Sequence, residues 1–538
     1  MTALLRAVWP AALVAATLLT ACGGDGGSST PAAGETAEQP TASPTGSATG
    51  VCTLDLAGAD ADLHVFAATA GDFLADRFSL ALGDFNGDGK DDILAGAPLA
   101  DGPDESRANA GEAYVIFGSN DLPAAKDLAD DAPDLTVYGE LAADNAGFTV
   151  AAGDVNGDGI DDVLVGGRFA SAGGKVGVGK VYVVFGGDDL GASVDTAAGD
   201  QDATVIGPAA GDYLSIALAS GDVDGDGTAD LLLGASGADG PDDDRDSAGE
   251  VHVVLGRDSW PASLDLAETP PHFTAYGATA GDSLPNYLAA GDLDGDGREE
   301  LIVGAPFASG GEGQEDAGRV YIVPVPEEGG AADLAGQGDF TTLARGPTRA
   351  GFGFYVAAGD LDDDGNDDVL IGARDADGPD DTRNNSGEAL ILWKAADLPE
   401  LLDLAEAGAD LTVYGQDQGD SLGFTVATGD VNGDGTEDAL FGAPIGDGCN
   451  NAAEDAGEAH VLLGRKDWPQ VVDLASEGSD RSYYGGGAGD EVGFSLASGD
   501  VNGDGYDDVV LGALLADGPD DARPDSGEVY VILGGRSP

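Results

Sequence analysis

Seven acidic segments of nine residues, each of the form Asp-x-Asp/Asn-x-Asp-Gly-x-x-Asp/Glu, recur along this chain of 538 residues. Their spacing is almost constant, at 68 or 70 residues from one segment to the next. The segments begin at Asp84, Asp154, Asp222, Asp292, Asp360, Asp430 and Asp500. Each unit of a repeat array buries its apolar face only against its neighbours, so this regularity predicts one domain rather than the several that the length suggests.

Each repeat unit contains four short strand patterns. In the unit that starts at residue 409, apolar or alternating segments bounded by Gly, Asp and Pro cover residues 410–415, 423–429, 438–444 and 457–464. Four strands of this length make one small antiparallel sheet. A period of about 70 residues without sustained helical periodicity is typical of propeller blades. We therefore predict an all-β fold, a seven-bladed β-propeller.

The two ends of the repeat array indicate how the ring closes. The chain ends on a last-strand pattern at 527–534, whereas the first strand pattern, at 62–66, matches 410–414 and has no unit before it. In a ring, this N-terminal strand would complete the outer edge of the seventh blade beside 529–533. Such closure removes two free strand edges at once.

The acidic segments are predicted to be calcium-binding loops. They offer oxygen atoms at alternate positions, as a hard cation requires, and a glycine where the chain must turn sharply. Plain acidic turns are a poorer interpretation, because carboxylates held together without a cation repel one another. Calcium is favoured over magnesium, since a flexible cage with carbonyl ligands suits the larger ion, and up to seven structural ions are expected.

The predicted ligands are side-chain oxygens at loop positions 1, 3, 5 and 9 and the main-chain carbonyl at position 7. They are Asp84, Asn86, Asp88, Lys90, Asp92, Asp154, Asn156, Asp158, Ile160, Asp162, Asp222, Asp224, Asp226, Thr228, Asp230, Asp292, Asp294, Asp296, Arg298, Glu300, Asp360, Asp362, Asp364, Asn366, Asp368, Asp430, Asn432, Asp434, Thr436, Asp438, Asp500, Asn502, Asp504, Tyr506 and Asp508.

The formal net charge of −78 is far larger than seven divalent cations would neutralise. The remaining acidity keeps the surface soluble and suits a salty medium, where screening shortens the range of self-repulsion. It also argues against nucleic acid as a partner, because the sequence has no basic patch that would release counterions from phosphates.

The N-terminus has the layout of an export signal. One basic residue, Arg6, precedes an apolar run at 7–19 that is too short to span a membrane. The tetrapeptide that ends at Cys22 resembles a bacterial lipobox, which implies that residues 1–22 are a lipoprotein signal and that Cys22 becomes the lipidated first residue. An ordinary signal peptide that contains a cysteine is the alternative.

Residues 23–50 are rich in Gly, Ser, Thr, Pro, Ala and Glu and are predicted to be a disordered tether. The propeller would then occupy residues 51–538. We expect an exported protein that is lipid-anchored to the cell envelope, either exposed at the cell surface or at the outer membrane, and that contacts the membrane only through the lipid anchor.

Two short motifs that flank each acidic loop carry a family resemblance. Phe-Gly or Gly-Phe precedes the loop at 147–148, 351–353, 423–424 and 493–494, and Gly-Ala-Pro follows it at 96–98, 304–306 and 442–444. This order resembles the FG-GAP repeat of integrin α-subunit propellers from about residue 60 to the C-terminus. The resemblance implies a structural role for the calcium. The proline is missing at 166–168, 234–236, 372–374 and 512–514, which we expect to leave the fold unchanged.

A second motif, Asp-Gly-Pro-Asp-acid-x-Arg, occurs only in the odd-numbered blades, at 101–107, 239–245, 377–383 and 517–523. Its arginine can neutralise the adjacent acids, so the main interpretation is a self-satisfied surface loop. The resemblance implies that these loops lie on the face opposite the calcium loops. The alternative is that they form a ligand surface on a rigid scaffold.

Two cysteines remain besides Cys22. Cys52 lies just before the closing strand, hence near the seventh blade, and Cys449 lies in the sixth-blade insertion that the resemblance places on the opposite face. A disulfide needs Cα atoms within about 7 Å, so we predict two unpaired thiols. Export to an oxidising compartment favours a disulfide as the alternative.

No motif of a catalytic nucleophile or metalloprotease appears, and His252 and His460 occupy strand positions that are tyrosine in other blades. We predict a monomeric, non-enzymatic binding or adhesion module with a protein or polysaccharide ligand. A structural envelope component without a ligand is the first alternative. A polysaccharide-active enzyme with paired carboxylates is the second.

Overall fold

The computed structural model describes residues 54–56, 61–188, 190–309, 317–345, 350–393 and 398–535. Contacts divide the chain into residues 1–47, which lie outside the described part, and a unit of residues 48–538. The second unit forms seven five-stranded sheets. Within the described ranges, no helix has both the length and the apolar character that crossing a bilayer requires. The predicted signal and tether, including Cys22, lie outside the described residues.

The seven sheets form a closed ring. The first strand of each sheet contacts the first strand of the next, and the first strand of the seventh sheet contacts that of the first. The first strands therefore surround a common axis, and each sheet is one blade. The predicted all-β, seven-bladed propeller is confirmed.

Four antiparallel strands of each blade follow one another from the axis outward. In the first four blades they are Leu80–Gly83, Asp92–Ala97, Glu112–Ile116 and Leu135–Tyr138; Ala146–Gly153, Asp162–Gly167, Lys180–Val184 and Ala203–Ile206; Leu214–Gly221, Asp230–Ala235, Glu250–Val254 and Phe273–Tyr276; Tyr287–Gly291, Glu300–Ala305, Arg319–Val323 and Thr341–Ala344. In the other three they are Phe352–Gly359, Asp368–Ala373, Glu388–Leu392 and Leu411–Tyr414; Thr425–Gly429, Asp438–Ala443, Glu458–Leu462 and Arg481–Tyr484; Val492–Gly499, Asp508–Ala513, Glu528–Ile532 and Leu63–Phe66.

A fifth, outermost strand runs parallel to the fourth in every blade, where the sequence predicted only four strands. It comes from the next blade around the ring. In all but the sixth blade, it lies in the sequence between the third and fourth strands of that next blade. The fifth strands are Ser193–Asp195, Leu264–Asp265, Gly330–Asp333, Leu401–Asp403, Val471–Asp473, Leu54–Asp55 and Ala125–Asp127. Each blade thus receives its outermost strand from the blade that follows it.

Aspartate ends each fifth strand, and in six of them, all but Leu54–Asp55, its side chain accepts a main-chain hydrogen bond that turns the chain. Asp195 Oδ1 accepts the N–H of Ala197 at 3.0 Å. Asp403 and Asp473 act in the same way as N-caps of two short α-helices, Leu404–Ala407 and Leu474–Glu477. The Asp at these positions is therefore a strand terminator as well as a charge.

The FG and GAP glycines allow neighbouring blades to approach. Second strands such as Asp92–Ala97 are buried along their whole length between two sheets. A Cβ at Gly96 would lie 2.0 Å from the carbonyl oxygen of Gly147, which has a φ of +79°. The GAP glycine of the first blade thus leaves room for the FG glycine of the second, so the two motifs are halves of one contact.

The N-terminal strand closes the ring as predicted. Leu63–Phe66 pairs antiparallel with Glu528–Ile532, with Leu63 opposite Val531. A second pairing was not predicted. Leu54 and Asp55 pair parallel with Tyr483 and Tyr484 in the sixth blade. The N-terminal segment therefore completes the outer edges of two blades.

The prediction of unpaired thiols is wrong for Cys449, which is disulfide-bonded. The sequence offers only Cys22 and Cys52 as its partner, and both lie outside the described residues. The prediction placed the N-terminal segment beside the seventh blade alone. Because Leu54–Asp55 pairs in the sixth blade, the chain just after Cys52 runs along the blade that carries Cys449.

Candidate metal centres

Each acidic loop folds around its first aspartate. In the second blade, Asp154 Oδ1 accepts hydrogen bonds from the N–H groups of Gly157 at 2.7 Å and Asp158 at 3.0 Å. Asp154 Oδ2 accepts one from Gly159 at 2.7 Å, and Asp158 Oδ1 accepts one from Ile160 at 3.0 Å. The glycines at positions 4 and 6 have positive φ, which allows this tight path.

The ninth position begins the second strand and is buried. Asp92 Oδ2 accepts the N–H of Phe85 at 3.1 Å, and its Oδ1 accepts the N–H of Gly118 at 2.8 Å. Burial first, and then the nearby loop acids, raise the pKa of this carboxyl to about 7. The same causes raise the pKa of Asp368 to about 8 and of Asp438 to about 6. A cation at this point would favour the ionised form.

Three loops bring the carboxylates of positions 1, 3 and 9 together. In each, one oxygen from every carboxylate lies within 4.8 Å of the others. These loops are in the third, fourth and fifth blades, and the residues are Asp222, Asp224 and Asp230; Asp292, Asp294 and Glu300; Asp360, Asp362 and Asp368. Three carboxylates at this separation, without a basic residue between them, fit a divalent cation with oxygen ligands.

The other four loops have asparagine at position 3, and its amide binds the ninth residue instead. Asn86 Nδ2 donates to Asp92 Oδ1 at 3.1 Å, and Asn156 Nδ2 donates to Asp162 Oδ1 at 3.0 Å. Asn432 donates to Asp438 at 3.0 Å. In these four Asn-type loops, an internal hydrogen bond holds the ninth carboxylate. In the three Asp-type loops, which have aspartate at position 3, the ninth carboxylate lies close to two more negative charges.

The Asp-type loops therefore support calcium sites, and positions 1, 3 and 9 would hold the ion there. The exposed position-5 aspartates do not belong to these three groups. The ligand roles of position 5, of the position-7 carbonyls and of the four Asn-type loops stay predictions.

The eighth loop position links neighbouring loops, which the motif had left unassigned. Asp161 Oδ2 in the second blade accepts the N–H of Asp84 in the first at 3.1 Å. Asp91 Oδ2 accepts the N–H of Asp500 at 2.8 Å and so joins the first and seventh blades. Position 8 is acidic in six of the seven loops and is Ala229 in the third. That recurrence was the signal that could have revealed its role.

The fifth loop departs from the others at position 4. Asp363 stands where the other six loops have glycine, and its φ is +56°. Lys466 Nζ lies 2.5 Å from Asp363 Oδ2 and holds this exposed side chain. A non-glycine residue with left-handed backbone is uncommon, so this loop carries local strain that its neighbours lack.

The arginines of the Asp-Gly-Pro-Asp loops were expected to neutralise adjacent acids. The structure shows that they mainly reach the aspartate that ends the blade's fifth strand, 88 residues away for Arg245. Arg245 forms two hydrogen bonds to Asp333, of 2.7 and 2.6 Å, and a third to the Gly277 carbonyl. Equivalent pairs are Arg107 with Asp195, Arg383 with Asp473 and Arg523 with Asp127. We call these four pairs the blade latches.

The histidines are strand residues. His252 and His460 are buried in third strands, and burial lowers the pKa of His252 to about 4. His64 lies on the closing strand, where its Nε2 is 2.6 Å from Glu528 Oε2. These positions agree with the interpretation of the histidines as structural.

Comparison with known proteins adds sequence evidence. A family model described as "FG-GAP repeat" matches residues 78–116, 146–184, 216–254, 288–323, 422–462 and 492–532. These matches fall in every blade except the fifth, the blade with Asp363.

Relatives include integrin α subunits, which are the majority, and phospholipases. "Integrin alpha pat-2" of Caenorhabditis briggsae is 29% identical over 258 residues, 44% of this chain and 19% of that protein. "Integrin alpha-PS2" of Drosophila melanogaster is 29% identical over 280 residues, 49% of this chain and 18% of that protein. "Phosphatidylinositol-glycan-specific phospholipase D" of Homo sapiens is 28% identical over 315 residues, 55% of this chain and 34% of that protein.

The chain thus spans between about a fifth and about a third of the length of these relatives. Among solved structures, BBS1N in complex with ARL6DN matches with a TM-score of 0.45 and 9% identity over 88% of this chain and 98% of that one. The closed ring, the FG–GAP contact between blades and the six matched repeats lead to one conclusion: the chain is an FG-GAP repeat β-propeller, similar to integrin α subunits.

Proposed function

We propose that this protein is an extracytoplasmic, calcium-binding propeller that acts as a monomeric binding or adhesion module at the cell surface, with a protein or polysaccharide ligand. One observation carries the proposal. The two ends of the blades are built differently: the acidic loop recurs in every blade at one end, whereas the loops at the other end carry the Asp-Gly-Pro-Asp motif in the odd-numbered blades and different sequences in the even-numbered ones. A rigid ring that presents variable loops is a common arrangement for recognition.

Calcium has a structural part in this proposal. When bound, the ion supplies the positive charge that three converging carboxylates need. The chain's own residues then hold the loop. The first aspartate accepts hydrogen bonds from main-chain N–H groups of the loop, and the eighth residue accepts one from the loop of the preceding blade. The ring is thereby stiffened at one end without any ligand taking part.

The opposite end has features of a binding surface. Leu141, Val176 and Phe307 are 50%, 75% and 39% exposed, and all three lie in connections at that end. Large apolar side chains exposed on one face support an interaction with a partner. The similarity to proteins named integrins supports adhesion and covers about a fifth of those proteins. The similarity to a protein named as a phospholipase covers about a third of that protein.

A binding screen tests the proposal against its alternatives. The purified full chain in detergent is applied to a glycan array and to whole cells, in millimolar calcium and in excess chelator. Calcium-dependent binding to a defined ligand supports a binding module. Absence of binding in both conditions favours a structural envelope component, and release of oligosaccharide from a bound glycan favours an enzyme.

The proposed location is a lipid anchor in the cell envelope. Replacing Cys22 with serine should move the protein to the soluble fraction, because a thioether-linked lipid cannot form on serine. Cys52→Ser, which changes the same atom outside the lipobox, is the matched control and should stay with membranes. If Cys22→Ser also stays with membranes, the anchor lies elsewhere.

A further inference from the structure

Three arginines meet near the axis at the end of the blades opposite the acidic loops. Arg77 precedes the first strand of the first blade, and Arg168 and Arg374 follow the second strands of the second and fifth blades. The first strands begin, and the second strands end, at this face. Arg168 and Arg374 replace the proline of Gly-Ala-Pro, so two of the four departures from the motif contribute to this cluster. The chain has only 22 Lys and Arg against 100 acids.

Arg168 lies between two aromatic rings. The central carbon of its guanidinium is 3.8 Å from the centroid of Phe148 and 4.2 Å from that of Phe169. Rings on both sides hold the planar group by cation–π attraction and leave its edges as hydrogen-bond donors. Arg168 is half-buried, and its terminal nitrogens, unlike the buried Nε, keep access to solvent.

The other two arginines extend the same arrangement. The guanidinium of Arg374 is 3.6 Å from the centroid of Phe354. That of Arg77 is 4.3 Å from Phe78 and 5.2 Å from Phe354. Coulombic repulsion from Arg374 and Arg168 adds to burial in lowering the pKa of Arg77, which shows that the three charges act on one another.

The acids nearby do not neutralise all three arginines. Asp76 lies beside Arg77 and also attracts Arg168 from beyond ion-pair distance, where it opposes the lowering of the Arg168 pKa by burial. Asp375 Oδ1 lies 3.6 Å from Arg374 Nε. Within the described residues, Arg168 makes no ion pair, and its Nε is buried without a hydrogen-bond partner. The terminal nitrogens of Arg168 are not among these buried atoms and have no hydrogen-bond partner among the described residues, so they are the donors that an acceptor from outside the chain can reach.

We propose that Arg168 binds the carboxylate of a sugar acid, with Arg77 and Arg374 supplying further positive charge. The inference rests on the proposed function and names the chemistry of its ligand. A guanidinium fork pairs with a carboxylate through two parallel hydrogen bonds. The half-buried rings of Phe169 and Tyr213, 5.6 Å apart, border the guanidinium and offer apolar faces to a sugar ring.

The net charge limits how many charges the ligand can carry. The protein has a formal charge of −78, so its surface acids repel the additional charges of a polyanion. This repulsion acts where the two lie within a Debye length, which is about 8 Å at physiological salt. A single carboxylate needs only the arginine cluster. The fitting ligand is therefore an otherwise neutral oligosaccharide that carries one sugar acid.

Calorimetric titration of the calcium-loaded full chain tests this proposal. The probe is a neutral oligosaccharide that ends in one glucuronate, and its reduced alcohol counterpart is the matched ligand. We expect the glucuronate probe to bind and Arg168→Gln to weaken it at least tenfold. The alcohol should bind at least tenfold more weakly to the parent. Arg257→Gln removes an arginine that stacks on Trp260 at the other end of the blades, and it should leave binding unchanged.

Arg168→Pro covers the case in which Arg168→Gln does not fold, because proline occupies this position in three other blades. Equal binding of the glucuronate probe by the parent and by a folded Arg168 variant would overturn the proposal. So would no binding of the probe by the parent, or tighter binding of a peptide through its terminal carboxylate. If the parent still binds another ligand in the calcium-dependent screen, the proposed function stands while this inference falls.

Discussion

The two ends of the blades handle acidic side chains in different ways. At the loop end, three carboxylates converge in the third, fourth and fifth blades, and the ninth residues, such as Asp230 and Asp368, are buried beside further acids. At the opposite end, acids are paired with arginine in the blade latches or, like Asp420, are buried with another acid, Glu458, nearby. The loop end therefore has the carboxylate clusters that suit cations, whereas the acids of the opposite end are held by arginines or by burial.

At the loop end, the residue at position 3 distinguishes two kinds of loop. Asparagine at position 3 donates a hydrogen bond to the ninth carboxylate, and aspartate at the same position adds a negative charge. The Asn-type loops are closed by their own hydrogen bond. The Asp-type loops gain most from an ion, since three carboxylates within 4.8 Å repel one another without it.

Removing calcium should cause the largest change. Sites with dissociation constants of about 10⁻⁴ to 10⁻³ M contribute about 1 kcal/mol each at millimolar calcium, because the ion binds only the folded ring. We expect the melting temperature to fall steeply on chelator titration and to recover when calcium is restored. An unchanged melting temperature would remove the basis for the metal assignment.

The opposite end should respond to pH rather than to calcium. Burial, with Glu458, Asp417 and Asp447 nearby, raises the pKa of Asp420 to about 8. The folded chain therefore keeps this proton up to pH 8, while the unfolded chain releases it near pH 4, so the contribution to stability is lost as pH rises between these values.

Asp420→Asn should consequently stabilise the protein by about 2 kcal/mol at pH 9, and the gain should shrink as the pH falls toward 4. Urea unfolding at constant calcium measures it. Asp258→Asn, an equal charge change in a connection at the loop end, is the control. A gain for Asp420→Asn that does not depend on pH would contradict the burial of an ionisable group there.

Exchanging the two kinds of loop should test their difference directly. Asp224→Asn should raise stability in chelator by about 1 kcal/mol, because it removes one of three converging charges, and should weaken calcium binding. Asn432→Asp should have the opposite effects. Melting in chelator and calcium titration by calorimetry measure both. Similar behaviour of the two variants would mean that position 3 does not decide how much a loop depends on its ion.

The smallest change is expected from a blade latch. A double-mutant cycle of Arg245→Ala and Asp333→Asn should give a coupling of about 1 kcal/mol, since the pair is bidentate but Asp333 is 46% exposed. Lys175 and Asp265 in the second blade, 3.7 Å apart, are the matched pair and should give less. Equal coupling energies for the two pairs would show that the two hydrogen bonds of the guanidinium add nothing to an ordinary ion pair.

The sequence was sufficient to predict the repeat, the ring and its closing strand, because the local patterns of all blades agree with one another. It did not reveal the fifth strands, the role of position 8 or the reach of Arg245, since each finds its partner in a neighbouring blade. The fifth strands did leave a trace in the sequence. The aspartates that end five of these strands recur at 68 or 70 residues, at Asp195, Asp265, Asp333, Asp403 and Asp473. This second period marks the strands that connect neighbouring blades.

The closing strand also sets the order in which the ring can be completed during translation. Asp62 Oδ2 accepts the N–H of Leu533 at 2.9 Å, a contact between residues 471 positions apart. The ribosome must therefore have synthesised the chain as far as Glu528–Ile532 before Leu63–Phe66 finds its partner, and until then this strand is an unpaired edge. Pairing over such a separation is slow, so the time between synthesis and closure is when the nascent protein is most exposed to aggregation.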